Sequence, residues 1–332
     1  MQLRQSARAS RHLRITIATA LMAMTPLALG AVAMPQPAIE PPPVMAAQPA
    51  ASGALDRIRA SGKLVLGYRT DARPMSYQDA SGQAAGYAVA LCQKVADGLK
   101  SSLGLSTLAV EWVAVAPDAG IRDVQQGQVD LLCGEHAATL TEREVVSFSI
   151  PIFPGGISAL LRDDASEQLQ RVLEERPPPY QPLWRGTAAQ SLQVLERKTF
   201  SVVEGTSAVD WVVAGIARLR LTATIAPADT YDAGVGKVVD RDSAVLFGDR
   251  ARLLDAAKRS AQSKDLKVLT RHFTFAPLAL TLSRNDDDFR MVVDRALSGL
   301  YANPEFGDIY AASFGPADPD TIQFFRTVAV PK

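Results

Sequence analysis

Short apolar runs that alternate with helix-patterned segments constrain the fold of this chain most strongly. Residues 63–68, 108–115 and 129–132 are rich in aliphatic and β-branched side chains and predict strands. Residues 86–99 carry apolar side chains at helical spacing between the first two runs, and residues 120–126 form a shorter helical segment before the third. This order is typical of a mainly parallel sheet with right-handed crossovers.

The same plan resumes in the second half of the chain. Residues 199–203, 221–226 and 244–247 predict strands, and residues 208–219 predict a helix between the first two. A chain of 332 residues can bury two medium-sized cores, and its length favours two over one. The sequence therefore predicts an α/β protein whose sheets form two lobes.

The charge composition argues against a function that depends on binding phosphates. The chain has 35 basic and 35 acidic residues, and its first 33 residues contain four arginines and no acidic side chain. Without that segment, 31 basic residues stand against 35 acidic ones, so the remaining chain is mildly acidic. Because nucleic-acid binding needs a basic surface, we expect no nucleic-acid partner.

The amino terminus has the parts of a secretory signal peptide. Residues 1–33 combine arginines, an apolar run and the small residues Ala31 and Ala33 at the position for cleavage. Residues 34–54 are rich in proline and alanine and predict an extended leader before the fold. These features predict export to the periplasm.

An exported chain can carry disulfides, and this chain has two cysteines. Cys92 lies in a predicted helix, and Cys133 lies at the end of a predicted strand in the same lobe. The sequence leaves open a disulfide between them or two buried free thiols. No neighbouring side chain is suited to activate either thiol, so we expect no catalytic cysteine.

Residues 129–153 place a helix start directly after a buried strand. Thr139 or Thr141 is suited to cap the short helix, which leaves Arg143 projecting near the carboxyl end of the strand. Open α/β sheets bind ligands at that end, and an arginine fork forms two parallel hydrogen bonds to a carboxylate. The alternative is an ordinary surface arginine paired with a neighbouring acidic residue.

The same stretch resembles the core signature of the bacterial extracellular solute-binding proteins of family 3, the amino-acid receptors of ABC importers. The residues that fit this signature in order are Gly127, Val129, Asp130, Thr141, Glu142, Arg143, Phe148, Ser149 and Pro151. The spacing between the arginine and the phenylalanine is one residue shorter here than is usual in the family. With further motifs on either side, the resemblance extends over residues 55–315.

The resemblance implies a two-lobed periplasmic-binding-protein fold of type II, in which each lobe is a mostly parallel sheet flanked by helices and two crossings form a hinge. It assigns residues 55–157 and 278–332 to lobe one and residues 158–277 to lobe two. Residues 163–197 are longer and more polar than the family leads us to expect, and we interpret them as a surface insertion on lobe two.

The resemblance also implies which residues contact an amino acid. Arg143, together with the turn at Thr206 and Ser207, would hold the α-carboxylate, and Asp249 would accept the α-ammonium. Arg69 follows a strand in a motif similar to that of the glutamate- and aspartate-binding members, where this arginine meets the side-chain carboxylate. The further predicted contacts are Thr141, Ser158 and Tyr231.

Structural roles stay open for several of these residues. Thr206, Ser207 and Asp249 each stand where a helix-capping residue is common. An arginine at the position of Arg69 is costly to leave unpaired, so without a ligand it needs a partner such as Asp71.

We expect a monomeric periplasmic receptor that captures an acidic amino acid by hinge closure and passes it to the permease of an ABC importer, without cofactor or metal. Two other functions stay open: an enzyme on the same two-lobed fold, with Glu135 as candidate base, and a receptor that feeds a membrane sensor. After the leader the chain has two histidines, His136 and His272, and neither a metal-ligand cluster nor an activated nucleophile, so we expect no catalysis.

Overall fold

The computed structural model describes residues 53–174 and 192–331. Its strands are β1 (Lys63–Tyr68), β2 (Asp71–Ala72), β3 (Ser76–Gln78), β4 (Ala84–Ala85), β5 (Ala109–Ala114), β6 (Leu131–Ala137), β7 (Ser147–Phe153), β8 (Ile157–Arg162), β9 (Thr199–Val203), β10 (Thr224–Ala228), β11 (Val245–Asp249), β12 (Leu266–Val268) and β13 (Leu278–Leu282). Its helices are α1 (Ala54–Ser61), α2 (Tyr87–Ser102), α3 (Gly120–Gln125), α4 (Leu140–Arg143), α5 (Glu167–Glu174), α6 (Ser207–Leu219), α7 (Tyr231–Val239), α8 (Arg250–Arg259), α9 (Asp287–Tyr301), α10 (Glu305–Phe314) and α11 (Pro319–Val328). Strands and helices alternate along most of the chain, as the apolar pattern predicts.

Two five-stranded sheets form the framework of the fold. The strand orders are β5-β1-β6-β13-β7 and β10-β9-β11-β8-β12. In the first sheet β1 is parallel to β5 and β6, and β13 is antiparallel to β6 and β7. In the second sheet β9 is parallel to β10 and β11, and β8 is antiparallel to β11 and β12. Each sheet is mixed, because the βαβ units supply parallel strands while β8 and β13, the first strands after each crossing, run the opposite way.

An aromatic core covers the first sheet. Tyr87 of α2 is fully buried, its ring lies 5.0 Å from the Phe314 ring, and its hydroxyl donates to the Ile152 carbonyl at 2.8 Å. The rings of Phe153 and Tyr310 stack at 6.2 Å between centroids. Burying a large apolar side chain contributes roughly 1.5–3 kcal/mol, so this cluster fixes α2 and α10 to the sheet.

A disulfide joins Cys92 of α2 to Cys133 of β6. Both residues are fully buried. Of the two possibilities that the sequence leaves open, the structure has the disulfide. It ties the long helix of the first lobe to the strand whose carboxyl end leads into the candidate site.

The two crossings between the sheets lie side by side. The Ala276 amide of the second crossing donates to the Gly155 carbonyl of the first at 2.9 Å. Gly156 has φ +130°, and a Cβ added there would lie 2.1 Å from the Thr274 carbonyl oxygen. Only glycine fits at this position of the hinge, because side chains disfavour this φ and the space is already filled.

Replacing Gly156 with alanine is therefore expected to destabilise the protein by about 1–3 kcal/mol, since the added methyl strains the backbone and pushes the crossings apart. Denaturant unfolding of parent and variant measures the loss. Gly215→Ala is the matched control, because Gly215 lies inside α6 with nothing within 4 Å of an added Cβ, and alanine favours a helix. Equal stability of Gly156→Ala and the parent would contradict this packing.

Three features of the fold were not predicted from the sequence. A small sheet of β2, β3 and β4 follows β1, where the sequence indicates a loop. Helix α7 begins at Tyr231, where the sequence indicates the end of a strand, and α11 follows the last predicted helix. The strands of the small sheet are too short to show a period, and two glycines weaken the helical pattern of α7.

Several sequence-based predictions lie outside the described residues. They are the signal peptide at residues 1–33, nearly all of the leader, and residues 175–191 of the insertion. The described part of the insertion contains α5, whose Leu169 and Leu173 are buried. Over residues 53–174 and 192–331, no helix combines the length and the apolar character needed to cross a membrane.

Candidate functional site

The two sheets meet where their parallel strands end. Arg69 follows β1 and Glu135 lies near the end of β6, while Asp249 ends β11 of the second sheet. Across the boundary, the Arg252 guanidinium in the first turn of α8 donates a hydrogen bond to the Glu135 carboxylate and forms an ion pair with it. The strand ends at which open α/β sheets bind ligands therefore face each other between the lobes.

The Glu135–Arg252 pair is partly shielded from solvent. The exposed fraction of the side chain is 24% for Glu135 and 35% for Arg252. Burial raises the pKa of the Glu135 carboxyl above its ordinary value, although the Arg252 charge acts to lower it. Arg252 also lies 5.9 Å from the centroid of the Tyr231 ring. Burial therefore disfavours the charged form of Glu135, and the neighbouring Arg252 charge offsets only part of that effect.

Asp249 caps helix α8. Its carboxylate accepts hydrogen bonds from the backbone amides of Ala251 at 3.0 Å and Arg252 at 3.3 Å. Its own amide donates to the Tyr231 hydroxyl at 3.1 Å. Burial raises the pKa of Asp249, and it raises that of Tyr231 to about 12. The capping role that the sequence leaves open for Asp249 is present, and a ligand contact would be additional to it.

Arg69 is paired with the acidic neighbour that the sequence suggests. Its Nε and Nη2 atoms donate to one carboxylate oxygen of Asp71, at 2.9 and 2.7 Å. Its side chain is 18% exposed, and its amide donates to the Ser76 hydroxyl at 2.9 Å. The Arg69 charge acts to lower the pKa of both Glu135 and His136, so Arg69 lies close to the lobe boundary.

Arg143 ends the short helix α4, which Thr139 caps by accepting the Glu142 amide at 3.2 Å. Arg143 is exposed, and its guanidinium lies 5.6 Å from the centroid of the Phe148 ring. Within the described residues it forms neither an ion pair nor a side-chain hydrogen bond. Thr141 is exposed in the same helix. The Arg143 fork is therefore available to an anion.

Helix α6 begins at Ser207 with Thr206 as its N-cap residue. The Thr206 hydroxyl donates to the Val203 carbonyl at 2.7 Å and does not cap the helix. Ser207 is exposed. The first-turn amides of α6 therefore lack a side-chain cap at the carboxyl end of β9, which is the geometry of a helix start that binds anions.

Ser158 is more deeply buried than the other predicted contacts. It is fully buried in β8, and its hydroxyl is within hydrogen-bond distance of the carbonyls of Leu269 at 3.0 Å and Arg271 at 2.9 Å. These contacts tie β8 to the segment after β12. Ser158 also lies opposite Gly248 in the β8–β11 register, next to the partner of Asp249. These hydrogen bonds give Ser158 a structural role in the second lobe, and its contact with a ligand stays a prediction.

Sequence reasoning missed Arg252 and considered Glu135 only as a catalytic base. One signal is present in the sequence, because Arg250 and Arg252 both lie in the first turn of α8, where the helix dipole disfavours cations. Each has an acidic partner outside its own helix, Asp318 for Arg250 and Glu135 for Arg252. Arginines in the first turn of a helix can therefore indicate acidic partners in other parts of the fold.

The described charged groups at the boundary are not clustered as metal ligands. Among the residues that the structure describes, no group of three or more His, Cys, Asp or Glu side chains is arranged to hold a metal ion.

Residues 64–316 match the family model of the bacterial extracellular solute-binding proteins, family 3. The match covers most of the chain, and the protein therefore belongs to this family. It is similar to the L-glutamate/L-aspartate-binding protein of Pseudomonas aeruginosa, with 25% identity over 267 residues that cover 78% of this chain and 79% of the relative. It is also similar to the glutamate/aspartate import solute-binding protein of Salmonella typhimurium, with 29% identity over 114 residues that cover 34% of this chain and 38% of the relative.

Solved structures share the fold. A polar amino acid ABC uptake transporter substrate binding protein from Streptococcus thermophilus matches with a TM-score of 0.64 at 17% identity, covering 82% of this chain and 93% of that one. The L-cystine solute receptor of Neisseria gonorrhoeae, in its unliganded open conformation, matches with a TM-score of 0.60 at 15% identity, covering 84% and 100%. At these identities the likeness concerns the fold alone, and it confirms the predicted two-lobed α/β architecture.

Proposed function

We propose that this protein captures an acidic amino acid, glutamate or aspartate, between its lobes and delivers it to an ABC importer. The observation that carries the proposal is a convergence of opposite charges at the facing strand ends. The charged residues are Arg69, Glu135, Asp249 and Arg252. An acidic amino acid carries one cation and two anions, and a set of carboxylates and arginines matches it. Relatives named for glutamate and aspartate support the same choice.

In this proposal each charge of the ligand has its own partner. Arg143 from lobe one and the helix start at Thr206 and Ser207 from lobe two hold the α-carboxylate. Asp249 accepts the α-ammonium. Arg69 meets the side-chain carboxylate with its planar fork of donors, which suits a carboxylate better than a lysine would.

Closure about the hinge would link ligand binding to transport. A ligand shifts the balance between open and closed forms only by binding one of them more tightly, and a ligand that contacts both lobes favours the closed form. The two crossings, joined by the hydrogen bond between Ala276 and Gly155, provide the axis. The loaded, closed monomer is the form that the permease of the importer would recognise. The predicted signal peptide at residues 1–33 supports a periplasmic location for this exchange.

Arg69→Ala is expected to weaken glutamate and aspartate binding on the order of 10- to 100-fold and to leave glutamine and asparagine nearly unaffected, because only the acids lose a charge-assisted partner. Thermal-shift titration of the exported protein with a panel of L-amino acids measures the difference. Arg290→Ala is a matched control, since Arg290 pairs with Asp287 inside α9. Equal binding of glutamate and glutamine by the parent would make the acidic assignment wrong.

Glu135 supports one alternative, an enzyme on the same fold. It is a carboxylate at the lobe boundary whose pKa is raised by burial, as a general base requires. The two functions differ in the fate of the ligand, which a receptor releases unchanged and an enzyme converts.

A further inference from the structure

We propose that Glu135 and Arg252 are themselves ligand-binding residues, and that a bound acidic amino acid separates them. Its ammonium pairs with Glu135, and its side-chain carboxylate pairs with Arg252. This inference rests on the proposed function and adds two contacts to those implied by the family resemblance. Its basis is a hydrogen-bonded ion pair that joins β6 of the first sheet to α8 beside the second.

The Glu135–Arg252 pair has few other polar contacts. Within the described residues, Glu135 and Arg252 have only each other as side-chain hydrogen-bond partners. Both side chains keep a part of their surface exposed. A partly exposed ion pair contributes little net stability, so a ligand that supplies both opposite charges can separate the two side chains at little cost.

Another ion pair between α8 and the first lobe is built differently. Asp255 binds Arg73 across the boundary at 3.3 Å, but it also binds Arg259 of its own helix at 2.9 Å. Asp255 therefore keeps a cation when Arg73 moves away. Glu135 forms no second ion pair within the described residues, so separation from Arg252 leaves its carboxylate without an ion-pair partner.

Two of the predicted ligand contacts lie beside the pair. Burial has the largest effect on the pKa of Glu135, and the charges of Asp249 and Arg69 also act on it, the first raising and the second lowering it. The Asp249 carboxylate also binds the Arg252 amide at 3.3 Å. In this proposal the ligand ammonium pairs with the carboxylates of Glu135 and Asp249, and the ligand side-chain carboxylate pairs with the guanidiniums of Arg69 and Arg252.

The exchange preserves the charge balance, because one ion pair within the protein becomes two ion pairs with the ligand. A ligand with only an ammonium, or only a carboxylate, would leave one member of the pair without a partner in a partly buried place. That loss exceeds the loss of an ordinary hydrogen bond. The pair therefore selects ligands that carry both charges over simple diacids and simple amines.

The test is calorimetric titration of the exported protein and of the variants Glu135→Gln and Arg252→Gln. The parent is titrated with the twenty L-amino acids, and the variants with glutamate, glutamine and glutarate, the diacid that lacks the ammonium. Glu135→Gln should weaken the binding of glutamate and glutamine on the order of 10- to 100-fold and should not weaken the binding of glutarate. Arg252→Gln should weaken glutamate binding by a similar factor and keep the affinity for glutamine within about threefold of the parent's. Thermal unfolding verifies that each variant is folded.

Arg73→Gln is the matched control, because it removes an arginine from another ion pair between α8 and the first lobe. It should leave every affinity within about threefold. If Glu135 and Arg252 only hold the lobes together, their variants will change the affinities for all three ligands by the same factor. That result overturns the inference. Unchanged affinities overturn it as well.

The same titrations separate this inference from the proposed function. If the parent binds an amino acid other than glutamate or aspartate, the acidic assignment fails together with the role of Arg252, and the Glu135→Gln variant still tests the ammonium contact on that amino acid. If the parent binds no amino acid, both the proposed function and the inference are overturned.

Discussion

Replacing Arg143 with alanine is expected to abolish detectable binding of every amino acid, acidic or neutral. All of them share the α-carboxylate, and the Arg143 fork is the group proposed to bind it with two parallel hydrogen bonds. The guanidinium is exposed at the end of α4 above the Phe148 ring, and within the described residues it has no ion pair to give up. Its full charge is therefore available to a ligand. Calorimetric titration with glutamate and glutamine measures the loss.

Two further variants make this experiment specific. Arg143→Lys keeps the charge but lacks the planar fork, so it should recover only part of the affinity. Arg59→Ala removes an exposed arginine whose partner is Asp56 in α1, and it should bind like the parent. Retention of parental affinity by Arg143→Ala would exclude this residue from the site.

Removing the disulfide is expected to give the largest change in stability. The double variant Cys92→Ala/Cys133→Ala should lose about 2–5 kcal/mol in the free energy of unfolding, because the crosslink closes a loop of 41 residues in the unfolded chain. Denaturant unfolding under oxidising conditions measures the loss. The parent in the presence of a reductant is the control and should approach the stability of the double variant. No response of the parent to the reductant would contradict a disulfide that stabilises the fold.

Much of the fold follows from local patterns in the sequence. Strands β1 and β9 match the predicted ranges 63–68 and 199–203 to the residue, because each is a short apolar run beside polar or glycine-containing turns. Strand β10 begins later than predicted, at Thr224. Helix α6 ends at Leu219, and its C-cap residue Arg220 has the left-handed conformation. Residues 221–223, which the apolar pattern assigns to the strand, belong neither to the helix nor to the sheet.

The candidate site is less readily predicted than the fold. The partner of Arg69 and the capping role of Asp249 follow from neighbouring residues, since Asp71 and the start of α8 are close in the sequence. The Glu135–Arg252 pair does not, because its members are 117 residues apart and meet only when the two lobes come together. Contacts between lobes depend on the tertiary arrangement, which local periodicity does not encode.

The central claim is that facing charges on two lobes hold an acidic amino acid without converting it. Calorimetric titration of the protein without its predicted signal peptide with glutamate, aspartate, glutamine and asparagine, followed by chromatographic recovery of the ligand, tests this claim most directly. We predict saturable binding of glutamate or aspartate at least about tenfold tighter than that of the corresponding amide, with the ligand recovered unchanged. Equal affinity for acid and amide, absence of binding, or conversion of the ligand would contradict the account.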